Sequence, residues 1–277
     1  MTLYIHIGAQ KTGSTTIQAA LAANREALQA HGLIYPEVEE NDPNKVSHYN
    51  SLRSFFSQSD VESAALNPFV QRINKLKGNV LISAEALSNW PRLRPQEAES
   101  VYWQRKRAAL VKLRAALAAE DVKIVMCMRE RASYLKSLFK QHLKIFKRPS
   151  ISIDEMLADF LRHEIYRSNL VKQRAAWAEI FGEVRTIDFD AHQDGSLIPA
   201  FMRAVDCSFV PREVEIKNVS PSWADLEKRR MQVTLGLNAE ATIDPAKSAE
   251  YSALIEQRVC RRITAAIQQA EKETAAA

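Results

Sequence analysis

Hydrophobic residues occur along the chain in short apolar runs that alternate with longer amphipathic stretches. The runs at 3–7, 80–83, 122–128 and 184–189 have the length and the β-rich composition of strands. The second and third of them are apolar almost throughout, which is typical of buried parallel strands. The sequence therefore predicts four strands, and the segment at 33–36 fits a fifth, short strand or an extended segment.

The stretches between these runs repeat apolar residues at the spacing of an α-helix. Ser152 and Glu155 have the spacing of a capping box, so a helix is expected to begin there. Helices are further expected over about 14–30, 96–119, 131–147, 166–181, 196–205 and 246–273. Strands separated by helices favour a parallel sheet with helices on both faces.

The first strand runs directly into a glycine-containing segment, Gly8-Ala-Gln-Lys11-Thr-Gly13-Ser-Thr-Thr16, that leads into the first helix. The N–H groups in the first turn of a helix lack backbone partners, and the helix dipole makes that end positive. Such a turn therefore binds anions, phosphate above all. Gly13 is expected to let the backbone approach the anion closely, and Lys11 adds a positive charge.

The spacing of this segment differs from that of ATP- and GTP-binding loops, G-x-x-x-x-G-K-[ST]. Gly8 and Gly13 have the matching separation, but Ser14 occupies the place of the lysine, which stands at position 11 instead. The segment is therefore a relative of the P-loop. The expected fold class is α/β: a P-loop-type parallel sheet of four or five strands, helices on both faces and a helix-rich C-terminal part. One domain over 1–277 is expected, with C-terminal helices of about 221–277 packed on it.

The composition of the chain indicates which classes of ligand and which cellular compartment to expect. The 277 residues are 46% hydrophobic, enough for a full core, and the net charge of +5 suits an anionic ligand but is too weak and dispersed to indicate nucleic acid. The three cysteines form no C-x-x-C pair, which favours a reducing compartment over a disulfide framework or a zinc site. No apolar run has the length of a transmembrane segment, and no signal peptide is apparent. A cytoplasmic location is expected.

A second anion site is predicted after the strand at 122–128. Arg129 follows that strand, and Ser133 and Ser137 come four and eight residues later, on one face of the expected helix. A guanidinium fork with hydroxyl groups suits a phosphate. Because the carboxyl ends of parallel strands meet at one edge of a sheet, two anion sites there imply a ligand with two separate anionic groups.

With both motifs taken together, the chain resembles the P-loop sulfotransferases that use 3′-phosphoadenosine 5′-phosphosulfate (PAPS), and most of all bacterial members that open with H-I-G-x-x-K-T-G-S/T-T. Lys11–Thr16 is similar to the family's 5′-phosphosulfate loop, and Arg129 with Ser137 to its 3′-phosphate site. The resemblance covers at least 3–235 and implies PAPS as donor and 3′-phosphoadenosine 5′-phosphate (PAP) as product. It implies nucleotide contacts by Gln10, Lys11, Thr12, Gly13, Ser14, Thr15, Thr16, Arg129, Ser137 and Asn218.

The chain departs from the family pattern at two places. Arg131 stands where family members commonly have a proline, and the late glycine-rich motif on the adenine side is absent. Asn218-Val-Ser220 is similar to an N-x-S segment of bacterial relatives and is expected to do related work.

The resemblance also implies in-line transfer of the sulfuryl group to a hydroxyl or amine of a small-molecule or glycan acceptor. By analogy with phosphoryl transfer, Lys11 and the loop N–H groups are expected to stabilise charge on the leaving phosphate, with no metal. Glu85 follows the strand at 80–83 and is the first candidate for the base, because family members that act on carbohydrates use a glutamate at a similar place. Repulsion by the bound anions is expected to raise its pKa. His48 is the second candidate, because other sulfotransferases use a histidine.

Two other functions stay open at this point. One is a P-loop kinase or NTPase, against which the position of Lys11 and the lack of a magnesium-binding aspartate after the strands at 80–83 and 122–128 both argue. The other is a non-catalytic anion-binding relative that has lost its base. The intact loop and the candidate base argue against that second alternative.

Overall fold

The computed structural model describes most of the chain, namely residues 1–38, 46–52, 67–91, 94, 97–145, 152–211, 221–223, 225, 226, 228 and 245–276. The chain forms two compact units. The first consists of Met1–Arg129 and Leu170–Lys217, and the second of Glu130–Asn169 and Asn218–Ala277. The single domain expected from the sequence stays a prediction.

Within the described residues, five strands form one parallel sheet in the first unit, in the order β2-β3-β1-β4-β5. The strands are β1 (Thr2–His6), β2 (Leu33–Ile34), β3 (Asn79–Ser83), β4 (Asp121–Met128) and β5 (Val184–Asp188). The α/β fold with a parallel sheet of four or five strands is thus confirmed. The doubtful segment at 33–36 supplies the short edge strand β2.

The helices follow the sequence pattern closely. Most are shorter than expected, and the last extends one residue before and three residues beyond the expected 246–273. They are α1 (Ser14–Ala23), α2 (Arg25–Ala30), α3 (Pro68–Lys75), α4 (Glu99–Ala116), α5 (Arg131–Ile145), α6 (Ile153–Glu164), α7 (Leu170–Phe181), α8 (Leu197–Ala204) and α9 (Pro245–Ala276). The prediction of one helix over 14–30 was wrong. Asn24 interrupts it by donating from its side-chain amide to the Ala20 carbonyl, at a backbone conformation that is not helical. The capping box of Ser152 and Glu155 is confirmed.

Helices cover both faces of the sheet. On one face, α1 and α8 pack on alternate strand residues such as Tyr4, Leu81 and Val125. The intervening residues, including Ile5 and Ile124, are equally buried and point to the other face, where α7 packs on β4 and β5 and α4 packs on α7. The strands are therefore buried on both sides, which explains their continuous apolar sequence.

The order of the strands makes the carboxyl end of β1 the expected position of a ligand site. From β1 the chain first fills one side of the sheet with β2 and β3, and then crosses to the other side for β4 and β5. In open parallel sheets, ligands bind at the carboxyl ends of the strands where the order reverses in this way. Gly8 and Arg129 follow the two strands, β1 and β4, that flank the reversal.

The second unit is helical in its described residues. In it α5, α6 and α9 pack on one another, with Phe139 and Phe160 in ring contact at a centroid distance of 5.3 Å. Ion pairs join the helices, among them Lys136 with Glu256 at 2.8 Å. Among the described helices of both units, none is both long and apolar enough to cross a membrane.

Candidate functional site

The loop after β1 continues the pairing with β4 before it turns away. The Ile7 N–H donates to the Val125 carbonyl at 3.0 Å, and the Ala9 N–H donates to the Cys127 carbonyl at 3.2 Å. Beyond that point, Lys11 has a φ of 60°, an uncommon left-handed conformation for a residue with a side chain. Gly13 is also left-handed, with a φ of 78°, and is the N-cap of α1.

Two of the predicted phosphate-binding hydroxyls hold the loop in shape. Thr12 Oγ1 donates to the Ala9 carbonyl at 2.6 Å, and Ser14 Oγ donates to the same carbonyl at 2.9 Å. Both side chains are buried. The other predicted contacts, Gln10, Thr15 and Thr16, are partly exposed in the loop and the first turn of α1.

The open end of α1 provides the donors of an anion site. Its N-cap is a glycine, so no side chain caps the helix, and no acidic residue stands in the first turn. In the first turn of a helix the N–H groups have no carbonyl one turn earlier in the same helix, and the helix dipole adds positive potential to that of Lys11. This combination of backbone donors and an ammonium group suits an anion.

A side chain at Gly13 would crowd two neighbouring side chains. A Cβ atom at this position would lie 2.4 Å from Leu197 Cδ2 and 3.2 Å from Phe189 Cε2. Close approach of an anion was the role expected from the sequence. The structure adds a different reason, because the face of Gly13 that a Cβ would occupy is filled by α8 and by the residue after β5.

Gly8 brings the loop against Glu85. A Cβ atom at Gly8 would lie 2.7 Å from the Glu85 carbonyl oxygen and 3.1 Å from Glu85 Cα, closer than real contacts allow. Glu85 opens a single 3-10 turn, Glu85–Leu87, directly after β3. The loop and this turn are thus in backbone contact at the carboxyl ends of β1 and β3.

The Glu85 carboxyl group has a raised pKa. Burial is the main cause, and a hydrogen bond with the Ser14 side chain and the positive charge of Lys11 both act in the opposite direction. A raised pKa was expected from repulsion by bound anions. The structure gives burial as the cause, and it brings Glu85, Ser14 and Lys11 together.

Arg129 contacts the loop directly. Its Nη1 donates to the Lys11 carbonyl at 2.9 Å, its Nε lies 3.5 Å from Asp190 Oδ1, and its guanidinium lies 5.1 Å from the centre of the Phe189 ring. The hydrogen bond supports the loop at its left-handed residue. The pairing of Arg129 with Ser137 stays a prediction, and Asn218 lies outside the described residues.

In the second unit, a carboxylate already occupies the N-terminal end of α5. The Ala132 and Ser133 N–H groups donate to the two oxygens of Glu130, at 2.8 and 2.7 Å. Glu130 caps the helix end that the sequence analysis had associated with a phosphate. An acidic residue directly before a helix is the sequence signal that could have indicated this cap.

His48 has the contacts of a structural residue, because both of its ring nitrogens bind backbone groups. Its side chain is buried, Nδ1 accepts from the Ser83 N–H at 3.0 Å, and Nε2 lies 2.8 Å from the Pro36 carbonyl. Since Nδ1 accepts a hydrogen bond, Nε2 carries the proton and donates it to Pro36. Burial lowers the pKa of the ring to about 4. Neither ring nitrogen is therefore available to take a proton from a hydroxyl or amine substrate.

A buried polar cluster lies under the loop. Ser83 Oγ accepts from Gln18 Nε2 at 3.1 Å and lies 2.8 Å from His6 Nδ1. His6 is fully buried, and burial lowers its pKa to about 3. The cluster joins β1, β3 and α1 and so fixes the elements that carry the loop and Glu85.

Lys106 has a structural role that the sequence analysis did not predict. It is fully buried in α4, and its Nζ donates to the carbonyls of Leu87, Ser88 and Trp90 at 2.9, 3.0 and 2.5 Å. The available signal was a lysine on the apolar face of the helix, three residues after Trp103 and four before Leu110.

The described residues contain no group of three or more His, Cys, Asp or Glu side chains that is arranged to hold a metal ion. The donors gathered at the end of β1 are backbone N–H groups and Lys11, and the carboxylate there is that of Glu85. Such a set can bind an anion and accept a proton beside it.

Two solved structures resemble the chain distantly. No protein-family model and no curated protein matches the chain. The crystal structure of a retinol dehydratase in complex with androsterone and inactive cofactor PAP is 12% identical, over 88% of this chain and 83% of that chain, with a TM-score of 0.37. A structure from the PezAT chromosomal toxin–antitoxin system of Streptococcus pneumoniae is 15% identical, over 93% and 86% of the two chains, with a TM-score of 0.27. Values this low are not evidence of a shared function.

Proposed function

We propose that the chain is a PAPS-dependent sulfotransferase that transfers the sulfuryl group to a hydroxyl or amine acceptor, such as a carbohydrate hydroxyl. One observation carries the proposal. A loop that resembles the one in sulfotransferases, with lysine two residues before the second glycine, lies against the backbone of Glu85, whose carboxyl group has a raised pKa. An anion site and a proton acceptor in one place are the two parts that sulfuryl transfer needs.

The loop residues have the chemistry to hold the 5′-phosphosulfate of the donor. The first-turn N–H groups of α1 and the Lys11 ammonium offer hydrogen bonds and positive charge to its oxygens. As the bond between sulfur and the phosphate oxygen breaks, negative charge grows on that oxygen, and Lys11 stabilises it. Gln10, Thr15 and Thr16 border the same loop and remain proposed donor contacts.

Glu85 is the proposed base. Its carboxylate takes the proton of the acceptor hydroxyl or amine while the new bond to sulfur forms and PAP leaves. Burial raises its pKa, which makes it a better proton acceptor than an exposed glutamate, and Lys11 keeps the ionised form accessible. His48 is not retained as the base, because both ring nitrogens are engaged with backbone groups.

For the other end of the nucleotide, the sequence resemblance supports Arg129, Ser137 and Asn218. Arg129 already contacts the loop through the Lys11 carbonyl, which agrees with a role beside the donor. We propose that Arg129 and Ser137 bind the 3′-phosphate. Replacing Ser137 with alanine is then expected to weaken PAP binding without changing that of adenosine 5′-phosphate, which lacks the 3′-phosphate.

The test is calorimetric titration of the purified protein with PAP and, separately, with ATP and Mg²⁺. The proposal expects tight PAP binding that weakens when Arg129 is replaced with glutamine, with Arg107→Gln as a control at an exposed ion pair. Tight binding of ATP and Mg²⁺ without PAP binding would favour a kinase or NTPase. PAP binding without transfer from labelled PAPS to any of a panel of sugars, phenols, amines and lipids would favour a non-catalytic protein.

A further inference from the structure

A lysine at a fully buried position of a helix, such as Lys106 in α4, is unusual. It is fully buried, and the three hydrogens of its ammonium group match the three carbonyls, of Leu87, Ser88 and Trp90, that accept from it. Its Nζ also lies 5.4 Å from the centre of the Trp177 ring. Burying a charge costs several kcal/mol unless it is fully hydrogen-bonded, and here the three carbonyls supply those hydrogen bonds.

The three carbonyls belong to the segment that carries Glu85. This segment follows β3 and begins with the turn Glu85–Leu87. Two backbone hydrogen bonds fasten it to the end of β1 and the residue that follows. The Ala84 N–H donates to the His6 carbonyl at 2.9 Å, and the Ser88 N–H donates to the Ile7 carbonyl at 3.2 Å. Carbonyl groups that converge on one point repel each other, and the ammonium group compensates for that repulsion.

We propose that Lys106 is a positioning residue, which holds the turn after β3 so that the Glu85 side chain lies against Ser14 and Lys11. This inference rests on the proposed role of Glu85 as the base. Lys106 acts through the backbone of the turn, whereas the charge that acts on Glu85 itself is that of Lys11. Without the ammonium group, the carbonyls separate, the turn shifts away from Gly8 and water reaches the carboxyl group.

The test compares Lys106→Met, which keeps the length of the side chain and removes the charge, with the wild type. Arg107→Met is the matched control, because it removes a positive charge from the next residue of α4, where Arg107 pairs with Glu179 on the exposed surface. The titration of the Glu85 carboxyl carbon is followed by ¹³C NMR, assigned with Glu85→Gln. Turnover and PAP affinity are measured on the same proteins.

Positioning predicts that Lys106→Met lowers the pKa of Glu85, because the carboxyl group becomes hydrated. A direct effect of the lost positive charge predicts the opposite, a rise. Turnover is expected to fall on the order of 100-fold, as for a small displacement of a catalytic group, with PAP affinity within about twofold of wild type. Arg107→Met is expected to change none of these quantities.

The titration needs neither donor nor acceptor, so the two proposals fail separately. If the wild type transfers no sulfate but Lys106→Met still lowers the pKa of Glu85, the positioning role stands and the proposed function fails. An unchanged or raised pKa in Lys106→Met overturns the positioning role, whatever the activity. Lys106→Gln, whose amide can still donate to two of the carbonyls, provides a milder variant and is expected to fall between the wild type and Lys106→Met.

Discussion

Replacing Gly8 with alanine tests the contact between the loop and the Glu85 turn. Gly8 has a φ of +96°, and its missing Cβ would lie 2.7 Å from the Glu85 carbonyl oxygen. The substitution therefore has two costs. The left-handed backbone disfavours any side chain by about 1–2 kcal/mol. The collision with main chain, which has no rotamer to change, adds about 1–3 kcal/mol of the kind seen for overpacked cores.

Gly182→Ala separates these two costs. Gly182 has a similar φ of +82°, but a Cβ there would meet nothing within 4 Å. We expect the free energy of unfolding, measured by urea denaturation, to fall by about 1–2 kcal/mol in Gly182→Ala. In Gly8→Ala it is expected to fall by about 2–5 kcal/mol, the sum of the two costs.

The same two variants test whether the contact between the loop and the Glu85 turn is needed for turnover. A shift of the turn in Gly8→Ala moves Glu85 relative to Lys11, so turnover is expected to fall on the order of 100-fold in the protein that remains folded. Gly182→Ala is expected to keep wild-type turnover. If Gly8→Ala is as stable as Gly182→Ala and equally active, the loop and the Glu85 turn are not in the close contact described here.

Three further predictions concern single side chains. Lys11→Ala is expected to lower turnover about 100–1,000-fold while PAP affinity falls less than about tenfold, because Lys11 acts mainly on charge that develops during transfer; full activity in the labelled-sulfate assay would contradict this. Glu85→Gln is expected to raise the unfolding temperature at a pH above the raised pKa of the Glu85 carboxyl, because ionisation of that group is less favourable in the folded than in the unfolded protein. That gain shrinks as the pH falls through the raised pKa toward about 4, where folded and unfolded carboxyl groups are both protonated; a gain independent of pH would contradict it. His48 has a folded pKa lowered to about 4, so only the unfolded chain takes up its proton below about pH 6.5. The free energy of unfolding should fall by up to about 1.4 kcal/mol per pH unit on its account between about pH 6 and 4, and urea denaturation of His48→Gln should show a correspondingly smaller slope. An identical slope in the variant would refute it.

The parts of the fold that sequence predicts are those set by local pattern. The strands at 80–83 and 122–128 are buried on both faces, so their apolar runs are continuous and easily recognised. The loop is predictable for a similar reason, since Gly8, Lys11 and Gly13 are close in sequence and their spacing marks the loop. Its close contacts with Glu85 and Leu197 carry no such signal.

The parts that sequence does not predict depend on distant contacts. His48 binds Ser83, 35 residues away, and nothing in the sequence around either residue indicates that pairing. Lys106 lies on an apolar helix face, where a lysine most often extends to solvent. Its actual partners are backbone carbonyls, which carry no sequence signal. The pKa of Glu85 was predicted in the right direction for a different reason, because burial is a property of the packed fold.

The most direct test of the central claim is transfer of labelled sulfate from PAPS by the wild type and by Glu85→Gln, both saturated with donor. Acceptors are screened as sugars, phenols, amines and lipids. Glu179→Gln, at an exposed ion pair, controls for the loss of a carboxylate. Labelled product is expected with the wild type and with Glu179→Gln. None is expected with Glu85→Gln, although that variant binds PAP normally. Wild-type turnover by Glu85→Gln would contradict that claim.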